Sequence, residues 1–289
     1  MIPVALTIAG SDSGGGSGIQ ADLKTFSALG VYGTTAVTAV TAQDTLGVFD
    51  VAVVGSASVA AQFDAVVLDM PPDAIKIGML GSRANVEVVA DRLRKHAQEY
   101  VVLDPVLAST SGTRLLDPDA VDLLRAAILP RVVLVTPNLA EAGTLVGSDV
   151  RSVAQMETAA RTLCAMGARH ALVKGGHLRG DTVVDVFFDG DSIRHLTRRR
   201  IGKRPRGTGC VLSAAVASFL AKGLDVGDAV VRAAEFTAAA IEAGLAIGKG
   251  TVSNPLSPAR PCGAPAGTGP RSEAPREPTV PEDFRPEPG

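Results

Sequence analysis

Tryptophan is missing from this 289-residue chain, and aromatic residues make up only 3% of it. Platforms that stack single-stranded bases on aromatic rings are therefore excluded. Excess positive charge is missing too: 28 Lys and Arg stand against 30 Asp and Glu, a net charge of −2. Neutralising a phosphate backbone needs a basic face, so nucleic acid is not an expected partner. No apolar run is long enough to span a bilayer, and no membrane partner is expected. Residues 1–9 lack the basic and long apolar stretches of a signal peptide. The 3 cysteines, Cys164, Cys210 and Cys262, are too scattered for a metal-ligand pair and odd in number for disulfides. That usage fits a reducing cytoplasm.

Apolar material for a core is plentiful, at 46% of residues. Proline is unevenly spread, with 10 of 18 in Ser253–Gly289. That stretch has almost no aliphatic periodicity and cannot bury enough apolar area to offset its ordering entropy. A folded domain is expected over residues 1–250, followed by a disordered proline-rich tail over 251–289.

Within the domain, strand-like and helix-like patterns alternate. Val4–Ala9 is a short apolar run, and Ile19, Leu23, Phe26 and Leu29 then share one helical face. Gly33–Thr41, Ala74–Ile77, Tyr100–Leu103, Val132–Val135 and Ala171–Val173 read as further strands. Val59–Leu68, the Val86–Leu93 segment, Asp117–Leu129 and Val153–Leu163 read as the helices between them. Val183–Phe188 and Ser192–Leu196 flank Asp189-Gly190-Asp191, a hairpin signal. Two Ala-rich helices, Thr208–Ala221 and Val226–Ile247, close the domain. The alternation predicts an α/β fold with a mostly parallel sheet covered on both faces.

Two glycine-rich turns carry the chemical signal. The first, Ala9 to Gly18, joins a strand to a helix. Its Gly16-Ser17-Gly18-Ile19-Gln20-Ala21 matches a dinucleotide-binding fingerprint. However, about six residues separate the strand end from the first glycine of that match, where the fingerprint allows none. No G-x-x-x-x-G-K-[ST] loop occurs. The glycines at 14–18 make this loop a candidate lid. The second turn, Gly207-Thr208-Gly209-Cys210, opens a helix. Converging N–H groups and the helix dipole make it an anion site for a phosphoryl group in transfer. In that first turn the dipole is expected to favour the Cys210 thiolate.

Charged residues follow the other strands. Asp104 and Glu141 each come after an apolar strand, at the carboxyl edge where open α/β sheets bind ligands. Carboxylates beside phosphate imply Mg²⁺. Asn138 can cap the next helix, with Glu141 at its third position. Lys174 ends a strand at the same edge and can neutralise phosphate.

Together, Leu6–Asp12, Gly18–Thr25, Thr38–Thr45, Lys76–Leu80, Thr136–Ala142, Lys174–Leu178 and Gly207–Cys210 resemble the hydroxymethylpyrimidine/phosphomethylpyrimidine kinases of thiamine biosynthesis. That family lies in the ribokinase superfamily, and the resemblance runs from about Leu6 to Gly250. It implies a three-layer αβα ribokinase-like fold, a homodimer, ATP as cosubstrate and Mg²⁺ as cofactor. It also implies phosphorylation of 4-amino-5-hydroxymethyl-2-methylpyrimidine and then of its monophosphate. Cys210 matches the catalytic cysteine. Asp22, Gln43, Met79 and Ser17 match the substrate site, although the family often has Ala at the last. Gly207, Thr208 and Gly209 match the anion hole. Lys174 and Asn138 match the nucleotide phosphate region, and Asp104 and Glu141 the metal region. Relatives with the same turn phosphorylate pyridoxine or pyridoxal, which is the alternative; a catalytically weak pyrimidine-binding protein is another. One departure stands out: Arg204-Pro205-Arg206, after Arg198-Arg199-Arg200, replaces the family's Asn-Thr-His before Gly207. Arginine binds phosphate bidentately, so altered nucleotide contacts are expected there.

Overall fold

The apolar runs pair edge to edge in an order that draws most strand ends to one side. In a computed structural model of the chain, residues 2–109, 112, 114–202 and 205–253 are described. The chain runs β1 (Val4–Asp12), α1 (Gly18–Ala28), β2 (Tyr32–Gln43), β3 (Val48–Val53), α2 (Ser56–Asp69), β4 (Ala74–Ile77) and α3 (Arg83–Lys95). It continues through β5 (Val101–Leu103), α4 (Pro118–Leu123), β6 (Leu134–Val135), α5 (Leu139–Val146), α6 (Val153–Ala165), β7 (His170–Val173), β8 (Thr182–Phe188) and β9 (Ile193–Arg199). Helices α7 (Thr208–Ala221) and α8 (Val226–Glu242) precede β10 (Leu245–Ile247) and β11 (Gly250–Val252). The main sheet has 9 strands in the order β3-β2-β1-β4-β5-β6-β7-β8-β9. Every pair from β2 across to β7 is parallel, while β3, β8 and β9 pair antiparallel.

Period-two alternation sorts the strand side chains to two faces. Leu6, Ile8, Ile75, Ile77, Leu103 and Val135 pack with Phe63 of α2, Val89 of α3, Leu145 of α5 and Met156 of α6. Ala5, Ala74, Val102, Leu134 and Leu172 pack instead with Phe26 of α1, Val216 of α7 and Val230 of α8. This is the three-layer αβα arrangement. With helices on both faces, the central strands are buried throughout, which is why they read as uninterrupted apolar runs.

Three segments differ from the sequence expectation. The Asp117–Leu129 helix is α-helical only over Pro118–Leu123, then widens into a π-turn (Leu124–Ile128) and tightens into a 3₁₀ turn (Leu129–Arg131). Pro130 supplies no N–H and crowds the preceding turn, so a regular helix cannot continue. β3 was not anticipated. It is an edge strand whose Phe49 and Val53 point to solvent, so no buried face marks it. The last helix ends at Glu242, ahead of Gly244, and Leu245–Ile247 turns into a hairpin with β11. The fold thus runs through Val252, just past the expected boundary at 250; residues 254–289, with most of the expected tail, lie outside the described residues.

Candidate active site

The strand order brings Asp12, Gln43, Asp104 and Lys174 to the carboxyl ends of β1, β2, β5 and β7, with Met79 just past β4. They line one cleft of about 880 Å³, joined by Ser17, Lys76, Asn138, Glu141 and Gly207–Cys210.

At one end stands the first glycine-rich loop. Asp12, buried at the end of β1, organises it. Its Oδ1 accepts from the Gly14 N–H at 2.8 Å. Its Oδ2 accepts from the N–H groups of Gly16 (3.0 Å) and Ser17 (2.8 Å) and from Ser17 Oγ (2.8 Å). Gln43 Nε2 donates to the same oxygen at 3.1 Å and to Ser17 Oγ at 3.0 Å. A carboxylate thus fills the nest that a dinucleotide pyrophosphate would need. The same bonds connect the loop to the ends of β1 and β2. Gly18 is obligatory: its φ is +57°, and a β-carbon there would fall 2.3 Å from the Gly10 carbonyl oxygen. Gln43, Ser17 and the Met79 thioether all line the cleft.

Asp22, expected to read the substrate, does not line the cleft. It is 0% exposed on the inner face of α1, where its Oδ2 accepts from Thr7 Oγ1 at 2.6 Å and from Lys76 Nζ at 2.9 Å. Asp22 shares the apolar face of Ile19, Leu23 and Phe26, so its carboxylate needs buried partners, and its Oδ1 has none among the described residues. The Oδ2 partner Lys76 was given no role by sequence reasoning, and it does reach the cleft. Burial alone would lower the Lys76 pKa, but Asp22, Cys210 and Asp104 hold it above its ordinary value, so it stays charged. A signal was present: a lysine between two isoleucines on a fully buried strand needs a charged partner.

Against this loop lies the N-terminus of α7. Gly207 caps it in the left-handed region at φ +81°, and a β-carbon there would fall 1.9 Å from the Gly16 carbonyl oxygen. The two glycine turns therefore meet backbone to backbone. Thr208, Gly209 and Cys210 open the helix along the cleft. Cys210 departs from expectation. Burial pushes its thiol up to about 11, beyond what Lys76 returns, while Asp22 and Asp104 add to the rise.

Beyond the turn is a charged cluster. Lys174 Nζ donates to Asp104 Oδ1 at 2.7 Å, and Ser213 Oγ of α7 lies 3.4 Å from the other oxygen. Burial would raise the Asp104 carboxyl, but Lys174 and Lys76 outweigh it and hold it below the ordinary value. Asn138 and Glu141 form the expected capping box of α5: Asn138 N–H donates to Glu141 Oε2 at 2.8 Å, and Glu141 N–H donates to Asn138 Oδ1 at 3.0 Å. Burial, reinforced by Asp104 and opposed by Lys174, lifts the Glu141 carboxyl to about 7. Among the described residues no cluster of three or more His, Cys, Asp or Glu side chains is arranged around a metal position. Asp104 and Glu141 are hard-oxygen donors lining the same cleft, the chemistry a cation needs if its remaining ligands come from phosphate and water.

Arg198, Arg200 and Arg206 of the arginine run line the cleft, and each is also held by other groups of the protein. Arg198 pairs with Asp185, Arg200 donates to backbone carbonyls at 176, 178 and 180, and Arg206 Nη1 donates to the Asp44 carbonyl at 3.0 Å. Pro205 lines the cleft, and Arg204 lies outside the described residues.

The sequence pattern of the family described as phosphomethylpyrimidine kinase matches residues 12–255. The hydroxymethylpyrimidine/phosphomethylpyrimidine kinase of Rhizobium meliloti is 50% identical over 254 residues, covering 86% of this chain and 95% of that protein. Among solved structures, an ADP complex of Bacillus subtilis pyridoxal kinase aligns with a TM-score of 0.82 at 36% identity, over 89% of this chain and 99% of that one. The phosphomethylpyrimidine kinase of Clostridium difficile aligns with a TM-score of 0.74 at 39% identity, over 83% and 99% respectively. With the cleft, the paired glycine turns and the ribokinase-like layering in place, the chain belongs to the phosphomethylpyrimidine kinase family.

Proposed function

We propose that the protein transfers the γ-phosphoryl group of ATP to the hydroxymethyl group of 4-amino-5-hydroxymethyl-2-methylpyrimidine, and then phosphorylates that monophosphate to the diphosphate, in thiamine biosynthesis. One observation carries the reading: Gln43, Met79 and Ser17 and the glycine turn Gly207–Cys210 line the same cleft. The Gln43 amide supplies polar recognition and Met79 an apolar face for the ring. With its Nε2 committed to Asp12 and Ser17, Gln43 offers the second lone pair of its carbonyl oxygen, beside a long 3.3 Å bond from Thr41 Oγ1, and that suits the exocyclic amine of an aminopyrimidine. The backbone N–H groups of Thr208, Gly209 and Cys210 receive charge as the phosphoryl group moves. Lys174 and Asn138 flank the nucleotide phosphates.

Asp104 and Glu141 would hold Mg²⁺, which supplies charge neutralisation at the transferred phosphoryl group. Cys210 sits nearest the acceptor alcohol as a neutral thiol. More of the rate therefore comes from alignment of the reactants and from the Lys76 and Lys174 charges than from a preformed thiolate. The protein is proposed to act as a homodimer in the cytoplasm; no described helix is long and apolar enough to cross a membrane.

Pyridoxal is the second reading, favoured by the higher TM-score of the pyridoxal kinase alignment. A coupled ADP-release assay with the pyrimidine alcohol, its monophosphate and pyridoxal separates the two. Turnover of both pyrimidine substrates is expected. A preference for pyridoxal overturns the substrate assignment, and no turnover with any of them overturns the kinase reading.

A further inference from the structure

Two arginines of the β8–β9 hairpin reach back to the loop that follows β7. Arg200 donates to three backbone carbonyls of that loop: from Nε to Gly180 at 2.7 Å, from Nη1 to Gly176 at 2.7 Å, and from Nη2 to Leu178. Its own N–H closes on the Asp181 carbonyl at 2.7 Å. Arg198 holds the start of the same loop at one remove. It pairs with the buried Asp185, whose other oxygen accepts the Gly175 N–H at 2.7 Å. Gly175 is pressed flat on β8, where a β-carbon would fall 1.9 Å from the Val184 carbonyl oxygen. Three carbonyls turned toward one point repel one another unless a donor sits between them. A planar guanidinium fork can serve all three, whereas an ammonium is a point charge on a flexible stem. Lys174, Gly176 and His177 of this loop line the cleft, as do Arg198 and Arg200.

We propose that Arg200, backed by the Arg198–Asp185 pair, is a nucleotide-positioning residue: it sets the shape of the 174–180 loop on which the nucleotide is held and does not itself bind phosphate. This rests on the kinase reading above. It also assigns this part of the arginine run a task inside the protein, where the sequence suggested a task toward the ligand.

The test compares the full-length wild type with Arg200→Ala and Arg200→Lys, using ADP titration calorimetry, steady-state kinetics and hydrogen exchange without nucleotide. Arg200→Ala is expected to weaken ADP about tenfold and raise KM for ATP by a similar factor. KM for the pyrimidine alcohol and kcat stay within about threefold. Amides 175–181 exchange faster even in the free protein, and Arg200→Lys does not rescue. The proposal is overturned by unchanged ADP affinity, by unchanged exchange in the free protein, by equal losses for both substrates, or by rescue with lysine. Should Arg200→Ala not fold, Arg200→Lys decides alone, because it must weaken ADP. If the wild type binds ADP but turns over no alcohol, the kinase reading falls while the ADP comparison still judges the loop. A wild type that does not bind ADP overturns the inference itself.

Discussion

Lys76 and Asp22 are the residues whose chemistry depends most on their surroundings. Removing one partner of a buried pair strands the other charge in a medium that cannot solvate it, at about 3–5 kcal/mol. Lys76→Met is therefore expected to lose about that much in urea unfolding, and Lys76→Met combined with Asp22→Asn to regain most of it. Restoration failing in the double variant would mean that packing, and not charge, dominates the site. Glu141 gives a pH signature. Its carboxyl titrates near 4.5 in the unfolded chain and near 7 when folded. Between those values the folded state binds more protons, so this residue's contribution to stability falls as pH rises. Glu141→Gln, which keeps the capping geometry, is expected to flatten the stability profile between pH 4.5 and 7 in paired urea titrations. For Cys210, the raised thiol predicts slow alkylation by iodoacetamide at pH 7, accelerating toward pH 11, in a background with Cys164 and Cys262 replaced by serine. Fast reaction at pH 7 would restore the thiolate. At this scale the polar residues that the sequence singled out line the cleft, apart from Asp22, which lies buried behind it against Lys76, a residue given no role. The polar residues were visible, but which of them pair across elements depends on the strand order, and no local pattern encodes that.

Among the elements, the two glycine turns carry the tightest constraint. Gly207→Ala forces an alanine to φ +81° and its methyl into the Gly16 carbonyl. Strain of this kind costs on the order of 1–3 kcal/mol, and relief requires the anion turn to open. Turnover is expected to drop by more than tenfold while the fold remains, as judged by circular dichroism and kcat. Full activity would show that the turn does not meet the phosphoryl group. The parallel strands were legible because burial on both faces leaves nothing polar to interrupt them. β3 was not, since its apolar side chains face outward and follow no buried alternation. The β10–β11 hairpin hid behind α8, whose aliphatic run continues past Gly244 although the helix does not.

For the molecule as a whole, β3 leaves one edge of the main sheet open, with Phe49 71% and Val53 45% exposed. Exposed apolar groups on an unpaired edge favour association. A homodimer is expected in sedimentation equilibrium, and Phe49→Asp is expected to shift it toward monomer without lowering the melting temperature of the fold. A second consequence follows from Gly207 resting on Gly16. One turn belongs to the loop proposed to face the ring and the other to the helix proposed to face phosphate, and their backbones approach directly at this point. Ligands at the two ends therefore share a single mechanical contact, and thermodynamic reciprocity makes the sharing symmetric: whatever factor the pyrimidine alcohol applies to ADP affinity, ADP applies to the alcohol.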